Sequence, residues 1–303
     1  MSKPPRILFY FLHLLGVGHI YRAKRLIEGF HRNGMGVDVI YGGMPVADVT
    51  FEADSVHYLS PIRAADNAYS HYLDSTGNRL EKPFQMQRAE EITTIFDGLN
   101  PDLILTEAYP FGRRMVRHEL AALLEAARQR RPAPLVVASV RDILQERKKP
   151  GRVEETCTVI DTYYDHILVH SDPKIIPLEA TFPAAQKIAD KIAYTGFVIP
   201  PTVGSAVLPA CDVVVSAGGG AFGGALMDIA LSAAIDRPDL SWLLSTGPNL
   251  SERQFDALQA RCPPHVQLVR YVANLAEQMK QSKVSVSQCG YNTAMDALAA
   301  HHQ

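Results

Sequence analysis

The 303-residue sequence has few cysteines and no marked excess of charge of either sign. Its four cysteines lie far apart, and none belongs to a CxxC pair: Cys157, Cys211, Cys262 and Cys289. This spacing argues against a zinc ribbon, a redox motif or a disulfide-stapled fold, and it is typical of a reducing cytoplasm. A formal net charge of −2 excludes the basic field by which a whole chain binds nucleic acid. We therefore expect a cytoplasmic protein that does not bind nucleic acid.

Long apolar segments are also absent. The run at 7–15 follows Lys3 and Arg6, but it is too short to span a bilayer, and no cleavage site of small residues comes after it. It ends instead in a glycine-bearing turn and a charged amphipathic segment. The run predicts a buried first β-strand rather than a signal peptide.

The sequence does contain two series of alternating strand and helix patterns. In the first, the strand at 7–15 precedes a helix with apolar residues at 20, 23, 26, 27 and 30, a stop at Gly34 and a strand at 37–41. Further strands are predicted at 103–106, 135–139 and 167–170, whereas 42–83 predicts a strand and a long loop. The second series has strands at 213–216, 242–245, 266–269 and 284–287, with a capping box formed by Ser251 and Gln254.

Alternation of this kind is typical of doubly wound, mostly parallel α/β sheets. The composition changes to Gly, Pro, Ser and Val between the two series. We therefore predict the α/β class with two Rossmann-like domains: residues 1–198, a linker at 199–209, and residues 210–303.

A glycine-bearing turn follows the first strand and carries Gly16, Gly18 and His19. A dinucleotide fingerprint needs a third glycine at position 21, where Tyr21 stands, so an NAD site is weakly indicated. An imidazole at the first turn of a helix is suited to act as a general base near neutral pH. A helix cap or a solvent-exposed histidine is an equally open interpretation of His19.

Two further glycine-bearing turns precede helices in the second series. Glycines after a buried strand let the backbone approach an anion, and the N-terminus of the helix adds partial positive charge. Two such helix starts in one domain suit a ligand with two phosphates, although a tight strand-to-helix turn remains the alternative. The candidate diphosphate-binding residues are Ser216, Gly218, Gly219, Gly220, Gly290, Asn292 and Thr293.

Charged side chains follow the predicted strands of the first series. Glu107 is a candidate base, or else a surface acid, and Arg113, Arg141 and Asp142 are candidate contacts to an acceptor, or else solvated charges. A basic loop has two open interpretations, a contact to an anionic membrane surface and a solubilising loop. Its residues are Arg147, Lys148, Lys149 and Arg152.

The segments VSAGGGAFG, WLLSTGPNL and VSVSQCGYNT, in this order, resemble the donor-binding half of predicted glycosyltransferases of the GT-B fold. These are related to the N-acetylglucosaminyl transferase of peptidoglycan synthesis, in glycosyltransferase family 28. GVGHIYRAKRL, ILTEAYPFGRR, SVRDIL and ILVHSDP are similar to the acceptor domain of that group, so the resemblance covers essentially the whole chain.

The resemblance implies two Rossmann-like domains facing a cleft and an inverting, metal-independent transfer of sugar from a nucleotide diphosphate, with UDP as the expected nucleotide. No cofactor is expected, and the acceptor would be a carbohydrate or a lipid-linked hydroxyl compound, reached at the inner face of the membrane if it is lipid-linked. His19 or Glu107 would take the proton of the acceptor hydroxyl, and the two helix starts would stabilise the leaving diphosphate. No Asp-x-Asp motif is present to hold a metal-bound diphosphate.

The sequence departs from the family at its end. The family has further elements after the GYNT-type helix, including an acidic residue that holds the donor ribose, whereas this sequence ends at Gln303. The resemblance therefore implies an incomplete second domain of about four strands and impaired transferase activity. Three other functions stay open: a nucleotide-sugar epimerase or hydrolase of the same fold, a non-catalytic nucleotide-sugar or carbohydrate-binding protein, and, by fold alone, an NAD-dependent dehydrogenase.

Overall fold

Contacts within the chain group it into two units in a computed structural model that describes residues 3–46, 49–66, 69–144, 150–200, 208–218, 223–248, 250–288 and 290–301. The first unit comprises Met1–Leu14 and Leu26–Phe197, and the second comprises Leu15–Arg25 and Val198–Gln303. The glycine-bearing turn after the first strand therefore belongs to the second unit. Residues 201–207 of the predicted linker lie outside the described residues.

Strands and helices alternate along the first part of the chain. They are β1 (Arg6–Phe11), α1 (Gly18–Arg32), β2 (Gly36–Gly43), β3 (Ser55–Ala64), β4 (Tyr72–Asp74), α2 (Lys82–Gly98), β5 (Leu103–Glu107), α3 (Arg117–Gln129), β6 (Leu135–Arg141), α4 (Arg152–Tyr163), β7 (His166–His170) and β8 (Ile192–Tyr194). In the described residues the strands form one eight-stranded sheet in the order β4-β3-β2-β1-β5-β6-β7-β8, parallel except for the β3–β4 pair. The predicted strands are confirmed, although the first ends at Phe11 rather than at 15. The segment at 42–83 contains two strands where the sequence predicted one, and β8 was not predicted.

Helix α1 ends as its sequence predicts. Gly34 has a φ of +73°, a left-handed conformation that glycine adopts without steric penalty. Its N–H donates to the carbonyl of His31, and the next N–H, of Met35, donates to the carbonyl of Phe30. These two bonds form a Schellman motif, which satisfies the last carbonyls of the helix and turns the chain into β2.

The core of the first unit lies on both faces of β1, whose residues from Leu8 to Phe11 are fully buried. A charged pair is buried with it. The guanidinium of Arg88 on α2 donates to the carboxylate of Glu119 on α3 at 2.5 and 2.6 Å, and the hydroxyl of Tyr10 also donates to Glu119. The two charged side chains are therefore desolvated and depend on each other.

The second unit repeats the alternation in β9 (Val213–Ser216), α5 (Gly223–Asp236), β10 (Trp242–Ser245), α6 (Glu252–Gln259), β11 (Val266–Val269), α7 (Leu275–Lys280), β12 (Val284–Ser287) and α8 (Tyr291–His301). Its described strands form a parallel sheet in the order β11-β10-β9-β12. The predicted capping box of Ser251 and Gln254 is present at the start of α6. Both units thus have the predicted α/β class, and no described helix combines the length and apolar character that crossing a bilayer requires.

Candidate functional site

The second unit contains a cavity of about 120 Å³ at the carboxyl edge of its sheet. Each of the four strands contributes the segment that follows it. These segments supply Ser216 and Gly218, then Ser245, Gly247 and Pro248, then Arg270 to Leu275, and finally Asn292, Thr293 and Asp296. Ligands of open parallel α/β sheets bind at this edge, because the strands end there and the following helices begin there.

Two glycine turns form one wall of the cavity by direct backbone contact. Gly218 after β9 has a φ of +65°, and Gly247 after β10 has a φ of +74°. A Cβ atom on Gly247 would lie 2.1 Å from the carbonyl oxygen of Gly218, so no larger residue fits there without moving the backbone. The N–H of Gly218 donates to the hydroxyl of Ser216 at 3.3 Å. The sequence motifs indicated Gly218 and Ser216, but they did not single out Gly247.

The start of helix α8 forms the facing wall. The side-chain amide of Asn292 donates to the carbonyl of Gly18 at 2.8 Å, whereas its buried Oδ1 atom has no hydrogen-bond partner among the described residues. Thr293 is buried, and its hydroxyl oxygen lies 3.5 Å from the position that a Cβ atom on Gly218 would occupy. Gly290 precedes the helix and accepts a hydrogen bond from the N–H of Ala294. The fold therefore brings Gly18, Gly218, Asn292 and Thr293 together.

His19 is the second residue of α1, and Gly16 lies in the turn before that helix. The guanidinium of Arg22 lies 3.2 Å from Nδ1 of His19 and 5.6 Å from the ring centroid of Tyr291. Because a guanidinium can only donate, Nδ1 is the acceptor, and the proton of the neutral ring is on Nε2. Among the described residues that line the cavity, the first turn of α1 is represented by Gly18 and Tyr21 rather than by His19.

A buried ion pair and a pair of stacked rings complete the cavity. Arg25 donates to the carboxylate of Asp296 at 2.7 Å, and burial raises the pKa of this carboxyl although Arg25 opposes the shift. The rings of Tyr21 and Tyr271 stack with centroids 5.6 Å apart, and burial, aided by Tyr271, raises the pKa of Tyr21 to about 12. Motif reasoning missed these residues, because each pair joins positions about 250 or more apart in sequence.

Arg270 brings a positive charge to the rim of the cavity. Its guanidinium donates to the carbonyl of Leu250 at 2.8 Å, lies 2.7 Å from the carboxylate of Glu252 and covers the ring of Phe255 at 4.4 Å. Glu252 is largely exposed, so solvent screens the pair. The segment after β11 carried no motif signal in the sequence.

The remaining sequence candidates belong to the first unit. Glu107 ends β5 and is buried, and Asp142, also buried, follows the neighbouring strand β6. Arg113 donates to the carbonyl of Leu12 at 3.2 Å, and Arg141 donates to the carbonyl of Ile143 at 2.7 Å. These contacts position the two arginines, and the predicted acceptor contacts stay predictions.

Some of the predicted residues lie outside the described part of the chain. These are Gly219 and Gly220 of the turn after β9, and Arg147, Lys148 and Lys149 of the basic loop. In the part that is described, no three His, Cys, Asp or Glu side chains are grouped as a metal site would require.

No protein-family model and no curated protein sequence matches this chain. Solved structures are similar to it over nearly its whole length. CalG4, the calicheamicin glycosyltransferase, is 14% identical with a TM-score of 0.57, and the match covers 99% of this chain and 78% of that one. TcCGT1 in complex with UDP is 13% identical with a TM-score of 0.61, covering 98% and 79%. MurG of Acinetobacter baumannii is 12% identical with a TM-score of 0.52, covering 98% and 76%.

These matches establish the fold, but the sequence identities are too low to establish a function. The chain has the α/β fold of GT-B glycosyltransferases, and the predicted fold class is confirmed.

Proposed function

We propose that this protein is a glycosyltransferase that moves a sugar from a nucleotide diphosphate, with UDP as the nucleotide, to a hydroxyl acceptor. The observation that carries this proposal is the cavity in which the turns of Gly218 and Gly247 face the start of helix α8. The similarity of fold to a protein solved with UDP supports it. A diphosphate fits such a cavity because glycine turns leave its oxygens room and the helix start supplies N–H donors and positive potential.

The donor would lie across the carboxyl ends of β9 and β12. The hydroxyls of Ser216 and Thr293 and the turn of Gly218 would contact the diphosphate, with Gly219, Gly220 and Gly290 extending the same two segments. The buried Oδ1 of Asn292 would accept a hydrogen bond from a donor hydroxyl.

Transfer requires a base for the acceptor hydroxyl and stabilisation of the departing diphosphate. In the proposed reaction the hydroxyl attacks the anomeric carbon with inversion, its proton passes to His19 or Glu107, and the start of α8 stabilises the leaving group without a metal ion. Arg22 sets a condition for His19. A base acting through Nε2 must carry its neutral-state proton on Nδ1, so Arg22 must first release that atom.

Binding of UDP and UDP-sugars, measured by calorimetry, tests the donor site. We expect Thr293→Val to weaken UDP binding about tenfold through loss of a hydrogen bond to a charged group. Thr162→Val, the same change on an exposed face of α4, is the control and should bind as the wild type does. Equal UDP affinity in the two variants would contradict the donor site.

Product analysis tests the reaction class. Sugar transferred only when a hydroxyl acceptor is present supports the proposal, whereas UDP and free sugar formed without an acceptor indicate a hydrolase, and an isomerised donor indicates an epimerase. A base role predicts that either His19→Ala or Glu107→Gln lowers kcat about 100-fold or more with little change in donor affinity. Unchanged turnover in both variants would remove both candidates.

The relation to family 28, the carbohydrate or lipid-linked acceptor, the cytoplasmic location and contact with the inner face of a membrane belong to the same proposal. The quoted sequence segments support the family, and the cysteine spacing supports the location. Activity with soluble against lipid-linked acceptors, compared at equal concentration, separates the two acceptor classes.

A further inference from the structure

The first unit has its own cavity, of about 670 Å³, whose lining contains none of the candidate base, donor or acceptor residues of the proposed transfer. Four arginines from three separate segments line it: Arg79, Arg114, Arg117 and Arg152. Tyr72 and His118 are among the other lining residues. A single cavity therefore collects four positive charges beside groups that donate hydrogen bonds.

Two of these arginines occupy the N-terminus of a helix, where a positive charge is unfavourable. Arg117 is the first residue of α3, and Arg152 is the first residue of α4. The preceding residues, Val116 and Gly151, give neither helix a side-chain cap. The N-terminus of a helix carries partial positive charge and N–H groups without helical partners, so acidic residues and anions are stabilised there. The positive ends of two helices thus add to the charge of the arginines.

Carboxylates of the chain offset this charge only in part. The first turn of α4 contains Glu154 and Glu155, and Glu155 forms a salt bridge with Arg114. Glu119, the acid in the first turn of α3, is buried against Arg88. Neither Arg79 nor Arg117 makes a salt bridge within the residues that the structure describes.

Like charges also act on one another inside the cavity. Burial, followed by the charges of Arg117 and Arg152, lowers the pKa of Arg114. Burial raises the pKa of Tyr72, and the positive charge of Arg152 opposes that increase. An anion bound among these side chains would relieve the repulsion.

We propose that this cavity binds the phosphate or diphosphate group of a ligand. Guanidinium groups match phosphate oxygens in bidentate geometry, and helix N-termini bind phosphate through backbone N–H groups. Several cations converging from three segments fit a group with at least two negative charges and oxygens pointing in several directions. The volume exceeds what a phosphate needs, so the rest of the ligand has room beside the tyrosine. The inference stands independently of nucleotide-sugar transfer.

Calorimetric titration with inorganic pyrophosphate at low salt tests the site directly. We expect Arg117→Gln and Arg79→Gln each to weaken pyrophosphate binding at least about tenfold, since each removes a charge-assisted contact. Both side chains are exposed, so the variants should keep the fold, which far-UV circular dichroism verifies. Arg253→Gln removes the same charge from an exposed position on α6 and should leave the affinity unchanged. Citrate, a carboxylate of similar charge, should bind more weakly than pyrophosphate.

A second arm identifies the source of the phosphate. Flotation with vesicles that contain phosphatidic acid, compared with pyrophosphate binding, separates a lipid headgroup from a soluble ligand, and Arg117→Gln must weaken whichever interaction is found. Equal affinity of the wild type and both cavity variants for both probes would overturn the proposal, as would citrate binding as tight as that of pyrophosphate. Pyrophosphate binding that is lost in Thr293→Val but kept in Arg117→Gln would also overturn it, because the ligand would then occupy the second unit. Failure of UDP-sugars to bind leaves the result of this test unaffected.

Discussion

Replacement of Gly247 by alanine should destabilise the second unit more than the backbone conformation alone accounts for. The residue has a φ of +74°, and a Cβ atom there meets the carbonyl oxygen of Gly218 at 2.1 Å. The obstacle is backbone rather than the end of a flexible side chain, so rotation of a side chain cannot remove it. The turns after β9 and β10 must therefore move apart.

Two contributions set the size of the effect. An alanine held in the left-handed region destabilises the folded state by about 1–2 kcal/mol. Alanine also restricts the unfolded chain more than glycine does, and this offsets roughly 0.4–1 kcal/mol of the loss. Forcing extra volume into a packed site costs about 1–3 kcal/mol more. We expect Gly247→Ala to lower the free energy of unfolding by about 2–4 kcal/mol.

Gly34→Ala is the matched control. Its φ of +73° is almost the same, but no atom lies within 4 Å of the added Cβ, so this variant carries only the conformational cost of about 1 kcal/mol. The difference between the two variants isolates the clash with Gly218.

Urea unfolding measures both variants, and the single tryptophan simplifies the assay. Trp242 begins β10 and is buried, so its fluorescence reports unfolding of the second unit, which contains Gly247. Far-UV circular dichroism follows the whole chain and therefore also reports the effect of Gly34→Ala in the first unit. A Gly247→Ala variant that loses no more stability than Gly34→Ala would refute the close contact of the two turns. Weakened UDP binding should accompany the loss of stability, because Gly218 and Gly247 both line the cavity.

Two buried charge sites in the first unit give further predictions, both measured by urea unfolding followed by circular dichroism. Burial, and then the charge of Arg113, lowers the pKa of His13 to about 4, so the unfolded chain takes up a proton between pH 6.5 and 4 that the folded chain refuses. The contribution of neutral His13 to the free energy of unfolding is therefore complete above about pH 6.5 and falls by up to about 3 kcal/mol as the pH approaches 4. His13→Gln should flatten the pH dependence of the free energy of unfolding, and an unchanged pH profile would contradict the assignment. Glu119→Leu leaves Arg88 buried without its carboxylate and should cost about 3–5 kcal/mol. Adding Arg88→Met should restore most of that loss, and a double variant as unstable as the single one would argue against a coupled pair.

The sequence predicted the strands that are buried on both faces, and it missed those that depend on distant pairing. β9 reads as three valines and a serine and is buried throughout, so a short apolar run was a sufficient signal. β4 and β8 are each three residues long and lie at the two edges of the sheet. Neither segment has a local pattern that distinguishes it from a loop, because its strand conformation comes from the neighbour with which it pairs.

The same division applies to the cavity of the second unit. The turn at Gly218 and the start of α8 were predictable, since a glycine after a strand and an Asn-Thr pair at a helix start are local signals. The need for glycine at 247 arises only from the approach of a second turn. The ion pair of Arg25 with Asp296 joins positions 271 apart, which no local pattern records.

The two cavities differ in how the sequence signals them, and the difference bears on where function is sought. In the second unit the local rules agree with one another: glycine occupies left-handed turns, and polar side chains occupy the helix start. In the first unit the local signals conflict, because Arg117 begins α3 and Arg152 begins α4 although both helices also carry acids in their first turns. Within the described residues Glu119 is buried against Arg88 and Glu155 pairs with Arg114, whereas Arg79 and Arg117 make no salt bridge. The charge of Arg79 and Arg117 that no described carboxylate offsets therefore favours an anionic ligand, and the proposed phosphate group would supply the negative charge.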